Sequence, residues 1–335
     1  MLLWLVEQKR PVKVDRTKDF VMDSAFNYLQ GEVKLRYNPS KLLVDSGAYT
    51  FARKGIDISP YIIIDIQERL KADVAIPLDY PFMPGMSLLE MRKNWKRTIE
   101  NLKLWNDVMS SKIEVMPVVH ALSKRHLMET VRIISTICDR SNLVGIGTIV
   151  DPSFELKGFL GDRQPRIETL EMIIKAIEVI RSFGFKVHLT GFGSSPLMLH
   201  LAIYLGADST DSSGFRRKAA YGKIILPTTG ERYVGHGHAR FGVVNLSRSE
   251  MKYLHEICDC PVCKRDPSLL WRSWKARAIH NEQVIKKTWR LGLKLRNRGL
   301  DVYEQYLDSI FARSSLRHLW RYVKIRAKYK RLTDF

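Results

Sequence analysis

The feature that most constrains this chain is a repeated ending. Short apolar runs stop at a polar residue or a glycine, and a helical pattern usually follows. Leu42-Leu43-Val44 leads to Asp45. Ala72 to Leu78 leads to Asp79, and Ile113 to Val119 leads to His120. Leu143-Val144 runs into Gly145 and Gly147, Lys186 to Leu189 into Thr190 and Gly191, and Gly206-Ala207 into Asp208 and Asp211. Helices are expected between them, at 60–70, 87–108, 123–138, 165–183 and 196–205. Ser87 with Glu90 three residues on is a capping box that opens the second of these. Strands alternating with helices imply βα units and a parallel sheet. A (β/α)₈ TIM barrel gathers all the strand ends on one face, where such folds place their chemistry, whereas a doubly wound sheet spreads them out. The fold class expected is therefore α/β, a TIM barrel. Six strands are visible. The other two are expected from the N-terminal segment and from beyond the cysteine cluster.

That cluster is Cys258-Asp-Cys260-Pro-Val-Cys263, with His280 seventeen residues further on. Three thiolates in one turn can converge on zinc with an imidazole closing the tetrahedron. Three sulfurs and one nitrogen leave no open position, so the Zn2+ is structural. His255 and His280 compete as fourth ligand, and His280 is preferred because it opens a new helix. Cys138 stands alone in an apolar helical pattern and reads as a core residue. Ahead of the cluster, Lys223 to Leu226 and Arg232 to Val234 read as a β-hairpin. The expected domains are a barrel at 1–254, a zinc-binding segment at 255–282 and a basic helical extension at 283–335.

Charge narrows the partner. The net charge is +20, and residues 264–335 hold 19 Lys+Arg against 6 Asp+Glu. Such a balance suits a polyanion, either nucleic acid or an anionic membrane surface, although a solvated helical face is the plain alternative. No apolar run approaches the roughly 20 residues of a membrane span. With no signal peptide recognised, a cytoplasmic location is expected.

The ordered set Asp45-Ser-Gly-Ala-Tyr49, Pro77-Leu-Asp79, Val118-Val-His120, Gly145-Ile-Gly147, Leu189-Thr-Gly-Phe-Gly193, Gly206-Ala-Asp-Ser-Thr-Asp211, the three cysteines and His280-Asn281 resembles the tRNA-guanine transglycosylase superfamily. These are zinc-containing barrel enzymes that exchange guanine in a nucleic acid for a 7-deazaguanine. The helical tail resembles that of archaeal-type members. The chain stops without their RNA-binding PUA domain, and His120 stands where bacterial members carry a glutamine. A small, strongly basic member without that domain is similar to the DNA-directed, DpdA-like branch. DNA is therefore favoured over tRNA as substrate, with a preQ0-like 7-deazaguanine as second substrate. The same exchange on tRNA is the alternative, and a non-catalytic nucleic-acid-binding barrel is another. An ordinary barrel glycoside hydrolase with a structural zinc is a weaker one. The resemblance also admits a homodimer and partner proteins of a DNA-modification system.

The resemblance implies roles. Asp211 is the nucleophile that forms a covalent ester with C1′ of the sugar, as in retaining glycosidases. Asp208, earlier on the same strand and read as sharing its face, is the rival. Asp45 is the general acid/base, with a pKa raised by its acidic neighbour and by exclusion of water. Asp79 accepts the guanine's N1–H and N2 amine. Ser46, His120, Gly145, Gly147, Thr190 and Gly191 complete recognition, and Tyr49 stacks on the base. The base must leave its helix stack to reach such a pocket.

Overall fold

In the computed structural model, residues 1–110, 112–138, 142–149, 167–226, 230–234, 243–312 and 314–333 are described. The apolar runs become parallel strands of one sheet: β1 (Leu2–Val6), β2 (Asp15–Ser24), β3 (Asn38–Asp45), β4 (Val74–Ala75), β5 (Glu114–Val115), β6 (Val118–Ala121), β7 (Leu143–Ile149), β8 (Lys186–Leu189) and β9 (Ser209–Ser212). Their order is β5-β4-β3-β2-β1-β9-β8-β7-β6. Only Met116 and Pro117 separate β5 from β6, so the sheet begins and ends on two halves of one strand. Proline has no N–H to give a ladder. The backbone carries on across the gap even so: Met116 N–H donates to Ala75 O on one side, and Gly145 N–H donates to Pro117 O on the other. The nine segments are thus eight strands closed into a TIM-like barrel.

Both strands that the sequence left unplaced lie in the first 24 residues, and among the described residues none comes from beyond the cysteine cluster. That is a correction with a plain cause. β2 starts Asp-Arg-Thr-Lys-Asp and shows only Phe20-Val21-Met22 as an apolar run. No α-helix follows β1 or β2; a short 3₁₀ turn at Ala25–Tyr28 is the only helical piece between β2 and β3. The βα rhythm that marks the later strands is therefore missing where these two occur.

Side-chain alternation separates two cores. Trp4, Met22, Leu43, Val74, Ile76, Met116 and Leu143 point inward and fill the barrel. Val21, Leu42, Val44 and Ala75 point outward onto Ile63, Ile66 and Trp105 of helices Pro60–Arg69 and Leu88–Val108. The expected capping box at Ser87 and Glu90 is formed. Helices Lys124–Ile137, Ile167–Ser182 and Pro196–Tyr204 occupy the other expected crossovers.

The chain divides into two compact units. One is Leu2–Thr190 with Ala207–Asp211, and it contains the barrel. The other is Met1, Gly191–Gly206 and Ser212–Phe335. It holds the antiparallel ribbon Lys223–Ile225/Glu231–Tyr233, whose turn lies outside the described residues, and the helices Arg248–Ile257, Trp274–Arg298, Leu300–Phe311 and Arg317–Thr333. No described helix is long and apolar enough to cross a membrane.

Candidate active site and metal centre

Asp45 and Asp79 are held through the backbone just before them. Asp45 is the last residue of β3, directly after Val44, and Ile76 lies three residues before Asp79. The buried amide of Gln67 donates to both the Val44 and Ile76 carbonyls, at 3.0 and 2.8 Å. Its own oxygen accepts from Trp105 Nε1 at 2.8 Å. A fully buried glutamine on a core-facing helix is otherwise costly, and here every polar atom it brings is used. Helix Leu88–Val108 grips the Asp79 turn from both sides: Asn101 donates to Leu78 O at 2.7 Å, and Tyr80 N–H donates to Thr98 Oγ1 at 2.9 Å.

Asp79 is the hub of a hydrogen-bonded trio. Ser46 Oγ donates to its Oδ1 at 3.3 Å, and His120 Nε2 lies 2.8 Å from its Oδ2. A carboxylate only accepts, so His120 carries its proton on Nε2 here. Phe82 packs against the imidazole, with ring centroids 5.5 Å apart. Gly147 makes room on the remaining side. A Cβ there would sit 2.5 Å from His120 Cε1 and 2.7 Å from a Val118 methyl. Gly147→Ala should therefore push His120 off Asp79 and cost about 1–3 kcal/mol of stability. Urea midpoints, with a crystal structure of the variant, check this; an unmoved imidazole would refute the packing account.

Asp45 lies among like charges. Its carboxylate accepts Gly47 N–H at 3.0 Å, and Gly47 adopts φ +86°, a left-handed turn that favours glycine. Burial pushes the Asp45 carboxyl up to about 7, and the negative charges of Asp79 and Asp211 push the same way. Hydrogen bonds from Gly47 and Ser24 oppose them. The unfolded chain would release this proton near pH 4. The fold therefore loses stability as pH climbs from about 4 to about 7, and the loss is complete above that. Asp45→Asn should leave stability unchanged below about pH 4 and raise it by on the order of 2–4 kcal/mol near pH 8. Denaturant melts at the two pH values measure it, and an equal gain at both would rule out a charge effect.

Asp211, on β9, is buried, with its Oδ1 3.4 Å from His188 Nε2 on β8. Asp208 is not its partner. It stands three positions earlier, which on extended backbone is the opposite face, and it precedes β9. Its carboxylate accepts Val187 N–H at 2.9 Å and faces Arg181 at 3.4 Å. Of the other expected contacts, Tyr49 is half-buried in the first turn of helix Ala48–Lys54, with the Arg53 guanidinium 5.9 Å from its ring centroid. Gly145 pairs with Val118 inside the ladder rather than at a strand tip. Thr190 follows β8 directly, and Gly191 falls in the other unit. The barrel unit thus brings together Asp45, Ser46, Asp79, His120, Gly147 and Asp211. His188, Ser24 and Gln67 were missed. The signal for His188 was a polar residue inside a buried strand; Gln67 had none beyond an uncharged polar group on an apolar helix face.

In the other unit, Cys258, Cys260, Cys263 and His280 are all buried, with their ligand atoms within 4.8 Å of one another. His280 Nδ1 lies 3.7, 3.5 and 3.3 Å from the three sulfurs in turn. Zinc bonds of 2.3 Å to sulfur and 2.0–2.1 Å to nitrogen at tetrahedral angles give an edge of roughly 3.6 Å, so the residues fit that ion. His280 Nε2–H donates to Ile225 O at 2.9 Å, which leaves Nδ1 with its lone pair toward the sulfurs. Next to it, Asn281 Oδ1 accepts Ile225 N–H at 2.7 Å, and its Nδ2 donates to Phe215 O and Lys223 O. His255 instead makes a 2.9 Å contact with the Cys263 carbonyl, so it is a neighbour of the cluster and not a member.

A closed parallel barrel with one carboxylate, Asp45, under the charge of two others at its strand ends, in a chain that also builds a buried three-cysteine, one-histidine cluster, is a narrow class of α/β protein. Sequence comparison agrees. The profile of the family described as Queuine tRNA-ribosyltransferase matches residues 43–286, and the chain belongs to that family. It is similar to the tRNA-guanine(15) transglycosylase of Sulfolobus acidocaldarius, 28% identical over 76% of this chain and 47% of the relative. The Thermococcus onnurineus protein of the same name is 24% identical over 87% and 45%, and that of Pyrobaculum aerophilum 27% over 88% and 55%. The chain spans about half the length of these relatives.

Proposed function

We propose that this protein exchanges a guanine in a nucleic acid for a 7-deazaguanine base through an ester between Asp211 and C1′ of the sugar. The observation that carries the reading is the convergence of Asp45, Asp79 and Asp211, with the Asp45 carboxyl pushed up to about 7 first by burial and then by its acidic neighbours. Asp79, with Ser46 and His120 fixed around it, accepts the donors of the purine edge. Asp211 forms the bond to C1′ as the bond to the base nitrogen breaks. A carboxyl near 7 is populated in both forms at neutral pH, so Asp45 can protonate the departing guanine and later accept the proton of the incoming base. The incoming nitrogen attacks the same carbon, the ester opens, and configuration is retained.

The four ligands of the second unit would hold zinc as a closed structural site, which tethers the cysteine turn and the ribbon to the long helix and offers no reactive position. On that helix Arg290, Lys294 and Arg298 are exposed at spacings of four and four, so they share a face on which phosphates can lie. The relatives are each named for tRNA, and this favours tRNA over the DNA expected from the motif departures.

The test is incorporation of labelled guanine into tRNA, duplex DNA and single-stranded DNA by the purified protein. Label in tRNA alone fits the reading. Label in DNA alone restores the DNA-directed branch. No label in any, with nucleic-acid binding retained, leaves a binding barrel.

A further inference from the structure

The barrel unit buries polar groups that the exchange reaction does not call upon. Asp23 is spent on structure: Tyr28, Tyr37, Asn27 and the Ser24 N–H all donate to it. His188 has a different setting. It is 0% exposed, sits in the middle of β8 and pairs in register with Ser209 of β9. Two residues beyond Ser209 on the same face of that strand is Asp211. The imidazole therefore spans the two. Nδ1 is 2.8 Å from Ser209 Oγ, and Nε2 is 3.4 Å from Asp211 Oδ1. Nε2 is fully buried and makes no hydrogen bond of good geometry among the described residues. A ring nitrogen left so costs free energy that an acceptor a few tenths of an ångström closer would recover.

We propose that His188 is a positioning residue for the nucleophile, an inference that rests on Asp211 forming the bond to the sugar. The Ser209 hydroxyl donates to Nδ1, which leaves the ring proton on Nε2, and Nε2–H is aimed at Oδ1. This fixes the carboxylate's rotation and presents Oδ2 to C1′. Once the ester has formed, Oδ1 is its carbonyl oxygen. When the incoming base opens the ester, negative charge returns to the carboxylate, and the Nε2–H···Oδ1 bond strengthens as it does so. His188 thus favours Asp211 as a leaving group in the second half of the exchange.

The experiment is a single-turnover assay on wild type, His188→Leu, His188→Gln and Ser209→Ala, quantifying both adduct and exchanged product after denaturing quenches. Glutamine keeps an N–H donor near the Nε2 position; leucine fills the space without one. The expected result is an adduct in His188→Leu that breaks down about 10- to 100-fold more slowly than in wild type. KM for the nucleic acid should be unchanged, glutamine should recover most of the rate, and Ser209→Ala should fall between. Wild-type breakdown in His188→Leu, or equal slowing in the glutamine and leucine variants, overturns the proposal. A wild type that forms no adduct overturns the reading of Asp211 itself, and this inference with it. Isotope-labelled histidine gives a readout free of variants: an Nε2–H tautomer at His188 supports the proposal, and an Nδ1–H tautomer refutes it.

Discussion

Asp211→Asn should form no covalent protein–nucleic acid complex and should lower base exchange at least about 10³-fold. Asparagine keeps the shape of the side chain and an oxygen for the neighbouring imidazole, so folding is largely preserved and the loss is chemical. What disappears is the negative oxygen that can bond to C1′. The substitution also removes one of the charges that add to burial in raising the Asp45 carboxyl, so that carboxyl should fall somewhat, with burial and Asp79 still holding it above its ordinary range. Denaturing gels of protein incubated with tRNA measure the complex, and label exchange measures the turnover. Exchange above about a tenth of the wild-type rate would move the bond-making role to another residue.

Stripping metal from the intact chain, or His280→Ala, should unfold the segment from Cys258 to His280. The hydrophobic cluster around the four ligands is modest: Ile224, Val234, Leu246, Leu254, Val262, Leu270 and Ala276 surround the sulfurs. Without an ion, three sulfurs and an imidazole are buried at its centre, and hydrogen bonds from the neighbouring thiols hold the Cys260 thiol below its ordinary value. Structural zinc sites of this donor type contribute on the order of 10 kcal/mol to folding. Chelation should therefore open this segment to protease within minutes, and added zinc should close it. Elemental analysis should find one zinc per chain. His255→Ala serves as comparison, since that ring contacts the backbone carbonyl of Cys263 and supplies no ligand atom. A chelated protein that resists protease as the native one does would refute the structural role.

Much of the fold was legible because its later strands obey local rules. Apolar runs such as Leu42-Leu43-Val44 and Lys186 to Leu189 are bounded by turns and alternate with capped helices, so each unit announces itself. β1 and β2 do not, because they are joined by a connection too short for a helix and one of them begins with charged residues. The acidic strand ends were legible for the same reason as the strands. The support beneath them was not: Gln67, Asn101 and Thr98 act through hydrogen bonds to carbonyls and amides 9 to 23 positions away, a relation that no local pattern encodes. Misreading Asp208 had another source. Its spacing from Asp211 is odd, and on a strand an odd spacing turns a side chain to the opposite face.

Leu2 N–H donates to the carbonyl of Asp208 at 2.7 Å, so the strand that bears Asp211 is zipped to residues some two hundred positions before it. Contacts so remote in sequence form late and slowly. On the ribosome, a nascent chain can already own Asp45 and Asp79 while Asp211, the residue proposed to bond the sugar, has yet to be translated. In the proposed chemistry such an incomplete chain carries the carboxylates assigned to the purine and lacks the one assigned to the sugar. Competence arrives in one step, when the last staves of the cask meet the first.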